Sequence, residues 1–193
     1  MEILGKILGN PARVKIMRLF LLNRNKSFKI KDIITRSRVS AQVARREVRL
    51  LLSVGFTKKR GEDYSFNLNF KYASEFDVLL ASSDVLDREA VLENFKKTGR
   101  AKFIAVSGIF IKNPDSRVDL LIVGDKLKRG KIEEGIRKME AEIGTELVYA
   151  VFETKEFLYR VSMYDKLVRD ILDFPHEVLL QAKELSTSFL KKT

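Results

Sequence analysis

Apolar residues recur at helical spacing in the first part of the chain. Asn10 is a capping residue and Pro11 suits the first helical position. Behind them Val14, Met17 and Leu21, with Ile16 and Phe20, predict a helix that ends near Asn23 to Asn25. A short second helix is expected over about Lys29 to Thr35, with Ile30, Ile33 and Ile34 inward, and Arg36-Ser37-Arg38-Val39 reads as a turn. A third helix opens at Ser40, runs to Val54 and stops at Gly55. At about 100° per residue its Ala44, Val48 and Leu51 fall on one side, and Gln42, Arg45, Arg46 and Arg49 fall on the other. Then Phe56 to Arg60, a Gly61-Glu62-Asp63 turn and Tyr64 to Phe70 read as a hairpin, with Lys58, Lys59 and Arg60 beside its tip.

Residues 73–98 change character. Phe76, Val78, Leu79 and Leu80 make a short apolar stretch that Ser82-Ser83-Asp84 interrupts, and Val85 to Lys97 predicts a helix with Leu86, Val91, Leu92 and Phe95 on its apolar side. This segment reads as a helical connector whose leftover apolar surface suits packing within the chain or a homodimer contact; the sequence does not choose between them. From residue 99 to 193 the pattern is mixed. Strand-like runs lie within Ala101 to Phe110, at Val118 to Val123 and at Glu146 to Phe152, with Phe157 to Val161 as a further strand or an extension. Lys131 to Ile143 is a strong helix, and helices over about Tyr164 to Leu172 and His176 to Leu190 complete the chain. The fold class expected is α+β, with residues 1–72, 73–98 and 99–193 as successive parts.

Charge sharpens this division. Residues 1–72 hold 17 Lys and Arg against 5 Asp and Glu, a balance of +12, whereas the rest of the 193-residue chain holds 20 against 21. The whole excess lies in the first third, which points to an anionic partner for that part alone, and double-stranded DNA is the natural candidate. Arginine can pair with a guanine edge and glutamine with an adenine edge, so the polar face of the third helix has chemistry suited to a major groove. With no cysteine and one histidine, a disulfide framework, a thiolate or Cys/His metal site and a cysteine nucleophile are all excluded. No apolar run is long enough to span a membrane, so a cytoplasmic protein with no membrane partner is expected.

Helix, helix, turn, helix and basic hairpin over residues 4 to 72 resemble a winged helix-turn-helix domain of the transcriptional regulators. The run Val39-Ser40-Ala41-Gln42-Val43-Ala44-Arg45-Arg46-Glu47-Val48-Arg49, closing with Leu51, Val54, Gly55 and Phe56, is similar to the family's recognition helix and the glycine before its wing. The resemblance implies DNA contact by Ser40, Gln42, Arg45, Arg46 and Arg49 in the groove and by Lys58, Lys59 and Arg60 on the backbone.

A second resemblance arises at Gly108 and at Ser116-Arg117-Val118-Asp119-Leu120-Leu121-Ile122-Val123-Gly124-Asp125, which look like the core of the minimal nucleotidyltransferases of the polymerase beta superfamily. That family places Gly-Ser after its first strand and two aspartates, one residue apart, at the second, where they hold magnesium against a triphosphate. Here Ile109 stands at the serine position and Arg117 at the first aspartate, leaving Asp119 alone. Asp115 and Asp125 have no geometric claim to the vacated place, and Glu146 is a third ligand by location only. The resemblance therefore implies a domain without metal, cofactor or catalytic residues, in which Asp119 pairs with Arg117 or another cation. Such a domain would serve dimerisation, a protein partner or sensing. The alternatives are an active nucleotidyltransferase modifying a protein or RNA, and the antitoxin partner of a toxin.

Other chemistries have little support. His176 stands at a helix start, and Gly124 to Lys131 lacks the spacing and the final Ser or Thr of a phosphate loop. Tyr149, Phe152, Phe157 and Tyr159 read as sheet and core positions.

Overall fold

The computed structural model describes residues 3–81, 88–113 and 115–185. The chain is α+β with two separate sheets, and it divides into two compact units, Met1–Asp87 with Arg137–Glu146 and Arg88–Ile136 with Leu147–Thr193.

In the first unit a short helix α1 (Ile3–Ile7) precedes α2 (Pro11–Leu21), whose first turn is capped by Asn10: its side-chain oxygen accepts the Ala12 N–H at 2.9 Å. The strand β1 (Ser27–Lys29) is not expected from its three residues. It exists because Phe28 pairs opposite Tyr64, a partner 36 positions away that no local pattern reveals. It leads into α3 (Ile30–Ser37), and the turn to α4 (Ala41–Ser53) passes through Arg38 in the left-handed region at φ +51°. The hairpin of β2 (Thr57–Arg60) and β3 (Asp63–Phe66) is shorter than its alternation suggests: Leu68 lies beyond it and is exposed. The three strands form an antiparallel sheet in the order β1-β3-β2. The apolar sides of α2, α3 and α4 meet in one core: Val14, Phe20, Ile33 and Ala44 are wholly buried, with Val48, Leu51 and Phe56 close behind. Helix α5 (Ala73–Ala81) adds Leu80 and Phe76 to this core and leaves Val78 and Leu79 exposed.

Polar chemistry closes the same unit. Arg18, in the middle of α2, is buried, and its guanidinium donates to the carbonyl oxygens of Leu80 and Glu142, each at 3.1 Å. Asn23 donates to the carbonyls of Leu19 and Gly144 at 2.8 and 2.9 Å. Gly144 sits at φ +94°, and a Cβ there would stand 2.6 Å from the Arg18 carbonyl carbon, so glycine is what lets this turn lie against α2.

The second unit begins with α6 (Arg88–Phe95), the described part of the helix predicted over Val85 to Lys97; Val85 and Leu86 of that prediction, and Ser82-Ser83-Asp84 before it, lie outside the described residues. Strand β4 (Arg100–Val106), a single 3-10 turn (Gly108–Phe110), β5 (Leu120–Asp125), α7 (Arg129–Ile143) and β6 (Tyr149–Glu153) follow. Residues of α7 from Arg137 onward belong to the first unit.

Two expectations fail here. Phe157 to Val161 is not a strand but part of α8 (Thr154–Ser162): Thr154, Phe157, Leu158 and Val161 recur at helical spacing, and Phe157 and Val161 pack with Phe103 and Leu121 in one core. His176 to Leu185, the described part of the predicted last helix, is not an α-helix. After α9 (Lys166–Asp173), β7 (Glu177–Gln181) pairs antiparallel with β4, and residues 186 to 190 lie outside the described ones. An exposed-face helix and an edge strand share the same short apolar run, and only the open edge of β4 selects the strand. The sheet order is β6-β5-β4-β7, with β5 and β6 parallel and the other pairs antiparallel. Its inner strands are buried on both faces, Phe103 and Ala105 on one side and Ile104 and Val106 on the other, which explains their unbroken apolar runs. Among the described residues no helix is long and apolar enough to cross a membrane.

Candidate nucleic-acid interface

Helix α4 is held by Ala44, Val48 and Leu51, which turn Gln42, Arg45, Arg46 and Arg49 outward. Ser40, at its start, is exposed and makes no capping hydrogen bond with its side chain. Gln42, Arg45, Arg46 and Arg49 share one exposed face of the helix, and Ser40 stands at its N-terminal end. On β2 the strand splits the three cations between two faces, because successive residues point to opposite sides. Lys59 lies over the Tyr64 ring, with its ammonium 5.5 Å from the centroid, while Lys58 and Arg60 share the opposite face. The tip also carries acid: Asp63 opposes Arg60 in register, and Glu62 pairs with Lys29 at 3.5 Å.

The feature that the wheel did not assign a role is Glu47. It falls on the packing side of α4 and is only 1% exposed. Both its oxygens are occupied: Asn10 Nδ2 reaches Oε1 at 2.8 Å, Arg13 Nε reaches Oε2 at 2.8 Å, and Arg46 places Nε and Nη2 on Oε1 at 3.1 and 2.9 Å. Burial alone would raise this carboxyl's pKa. The hydrogen bonds from Arg13, Arg46 and Asn10 and the Arg13 charge outweigh burial and hold it below the ordinary carboxylate value. A carboxylate three positions from Ala44 on an otherwise apolar stripe was the signal for this network, since a buried charge requires partners. Arg45 and Arg49 differ from Arg46. Neither enters an ion pair among the described residues, and Arg49 reaches only the Arg45 carbonyl at 3.4 Å.

A cavity of about 320 Å³ lies elsewhere in the first unit, between Lys31, Thr35 and Arg36 of α3 and the segment Glu140 to Glu146. An Arg36–Glu146 ion pair of 2.8 Å joins two of its walls, so Glu146, the residue expected by location to be a third ligand, belongs to the first unit and has a structural partner there.

In the second unit Gly108 and Asp119 do meet, though not as a metal centre would require. Gly108 has φ +55°, and a Cβ there would fall 2.1 Å from Asp119 Oδ1. That oxygen accepts the Ile109 N–H at 2.9 Å, and Oδ2 accepts the Val148 N–H at 2.8 Å. The expected Asp119–Arg117 pairing is absent: Arg117 Nε instead reaches Asp170 Oδ2 at 2.9 Å. Both residues precede β5, which begins at Leu120, so the rule that alternate strand residues point the same way does not apply to them. Asp125 is paired with Lys102 at 2.8 Å, and Asp115 is exposed. Among the described residues no three His, Cys, Asp or Glu side chains converge as metal ligands. Asp119 therefore staples the turn after β4 and the segment before β6 to the head of β5.

Comparison of this chain with protein-family profiles, with curated proteins and with solved structures finds no match in any of the three.

Proposed function

We propose that the protein is a DNA-binding transcriptional regulator in which α4 enters the major groove and the β2–β3 hairpin follows the phosphate backbone. The observation that carries this reading is the division of α4 into a buried side of Ala44, Val48 and Leu51 and an exposed side of Gln42, Arg45, Arg46 and Arg49, in the part of the chain that holds the whole positive excess. The order of α2, α3, α4 and the hairpin supports a winged helix-turn-helix arrangement. For the second unit we propose a nucleotidyltransferase-like domain that works without a metal centre, in dimerisation, partner binding or sensing. The engagement of both Asp119 oxygens by backbone N–H groups favours this over the active enzyme.

The test is a salt series of fluorescence anisotropy with the full chain on duplexes recovered from a random pool. Replacing Arg45, Arg46 and Arg49 together by Ala is expected to abolish preference among duplexes with the fold intact. Replacing Lys58, Lys59 and Arg60 is expected to weaken all duplexes alike and to reduce the salt slope by about 0.9 for each phosphate no longer neutralised. Undiminished affinity in the helix triple variant would overturn the docking.

A further inference from the structure

We propose that Arg46 is the base-reading arginine of α4, aimed at a guanine edge by the buried carboxylate of Glu47, while Arg45 and Arg49 hold phosphate. This rests on the DNA-binding reading above and adds to it a division of labour among three arginines that the sequence treats as equal.

A guanidinium has five N–H donors. Arg46 commits two of them, on Nε and Nη2, to Glu47 Oε1. That leaves both Nη1 hydrogens and the second Nη2 hydrogen, which together present the end-on fork that matches guanine O6 and N7. Glu47 is a fixed support: it is 1% exposed and anchored by Asn10 and Arg13, and Arg13 in turn donates from Nη1 to the Leu8 carbonyl at 2.6 Å. Arg46 itself is 64% exposed, so its inner edge is held and its outer edge faces solvent. Its charge is not cancelled. One carboxylate serves two guanidiniums, and the Arg13–Glu47–Arg46 group keeps a net positive charge.

Holding a long side chain in place before binding removes an ordering cost equivalent to roughly 2- to 12-fold in affinity. It also fixes the direction from which the fork approaches, and direction is what discriminates bases. Arg45 and Arg49 have no ion pair to hold them among the described residues. Long, unbraced cations suit phosphates, where many geometries serve equally well.

The experiment uses the full chain and a duplex selected by it from a random pool, with each guanine replaced in turn by 7-deazaguanine, which lacks the N7 acceptor. One guanine is expected whose replacement weakens the wild-type chain about 5-fold or more and weakens Arg46→Ala no further. Arg45→Ala and Arg49→Ala are expected to keep that ratio while binding every duplex less tightly. Glu47→Gln, checked for folding by thermal unfolding, is expected to reduce the ratio roughly 3-fold in the wild-type background and to leave it unchanged in Arg46→Ala. A merely structural Glu47 would lower affinity in both backgrounds and leave the ratio alone, which would overturn the positioning role. Arg46→Lys, at an exposed position that does not endanger the fold, keeps the charge and loses the planar fork. It is expected to retain the salt slope and lose the discrimination. Discrimination that survives in Arg46→Ala overturns the assignment of the reader. A wild-type chain that recovers no duplex from the pool overturns the DNA-binding reading itself.

Discussion

Arg18 places a cation at the C-terminal ends of two helices. Leu80 is the penultimate residue of α5 and Glu142 the penultimate residue of α7, so the carbonyls that accept from Arg18 are among the last four of each helix. Such a site combines hydrogen bonding with the negative end of the helix dipole. Against this stands the desolvation of a guanidinium that is 1% exposed and that donates to two neutral carbonyls. The magnitudes decide between the two. In Arg18→Met, which preserves most of the volume, the Leu80 and Glu142 carbonyls lose the Arg18 donor at about 1 to 3 kcal/mol each, partly offset by the desolvation no longer incurred. A net loss of about 2 to 3 kcal/mol is expected. Arg18→Ala adds a cavity and is expected to lose about 2 kcal/mol more. The measurement is hydrogen exchange by mass spectrometry on peptides from α2, which reports on the first unit directly, with urea unfolding alongside. Protection in Arg18→Met equal to or above that of wild type would refute the reasoning, because it would mean that desolvation outweighs capping.

Three further outcomes are expected. A fragment of residues 1–72 lacks Leu80 and the segment Arg137–Glu146 that cover Arg18 and Asn23, and it is expected to unfold at clearly lower urea concentration than the first unit of the full chain; equal midpoints would show that these groups add nothing to stability. Gly108→Ala drives a methyl into Asp119 Oδ1 and is expected to destabilise by about 2 to 4 kcal/mol, with less than additive loss when combined with Asp119→Ala, as measured by a double-mutant cycle in urea. Glu47 has a folded-state pKa below its ordinary value of 4.5, so its stabilising effect is present above that pH and is lost as the pH falls through the folded value; the thermal stability difference between wild type and Glu47→Gln is expected to narrow below about pH 4.5, and a constant difference would contradict the network.

Local rules made much of the first unit legible. The Asn10 cap, the turn before α4, the end of α4 before Gly55 and the inward set Ala44, Val48 and Leu51 follow from capping chemistry and a period of 3.6 residues, and both operate within one or two turns of helix. The outward position of Arg45, Arg46 and Arg49 followed from the same wheel. Their inequality did not, because it depends on Glu47 meeting Asn10 and Arg13 across 37 and 34 residues of sequence.

Sequence alone determined where the positive charge lies, that the chain is α+β, and which side of each long amphipathic helix faces inward, since all three depend on composition or on short-range periodicity. Tertiary structure decided the rest. The run at Glu177–Gln181 became a strand because β4 had an edge to fill, and Phe157 turned into a helix face because its neighbours at helical spacing met Phe103. Asp119 took backbone donors from Ile109 and Val148 in place of Arg117, and Arg18 was buried because two helix ends converged on it. In each case the deciding partner lies at least ten residues away. Side-chain type states what a group needs, a donor, a counter-charge or an edge, but only the folded chain determines which distant group supplies it.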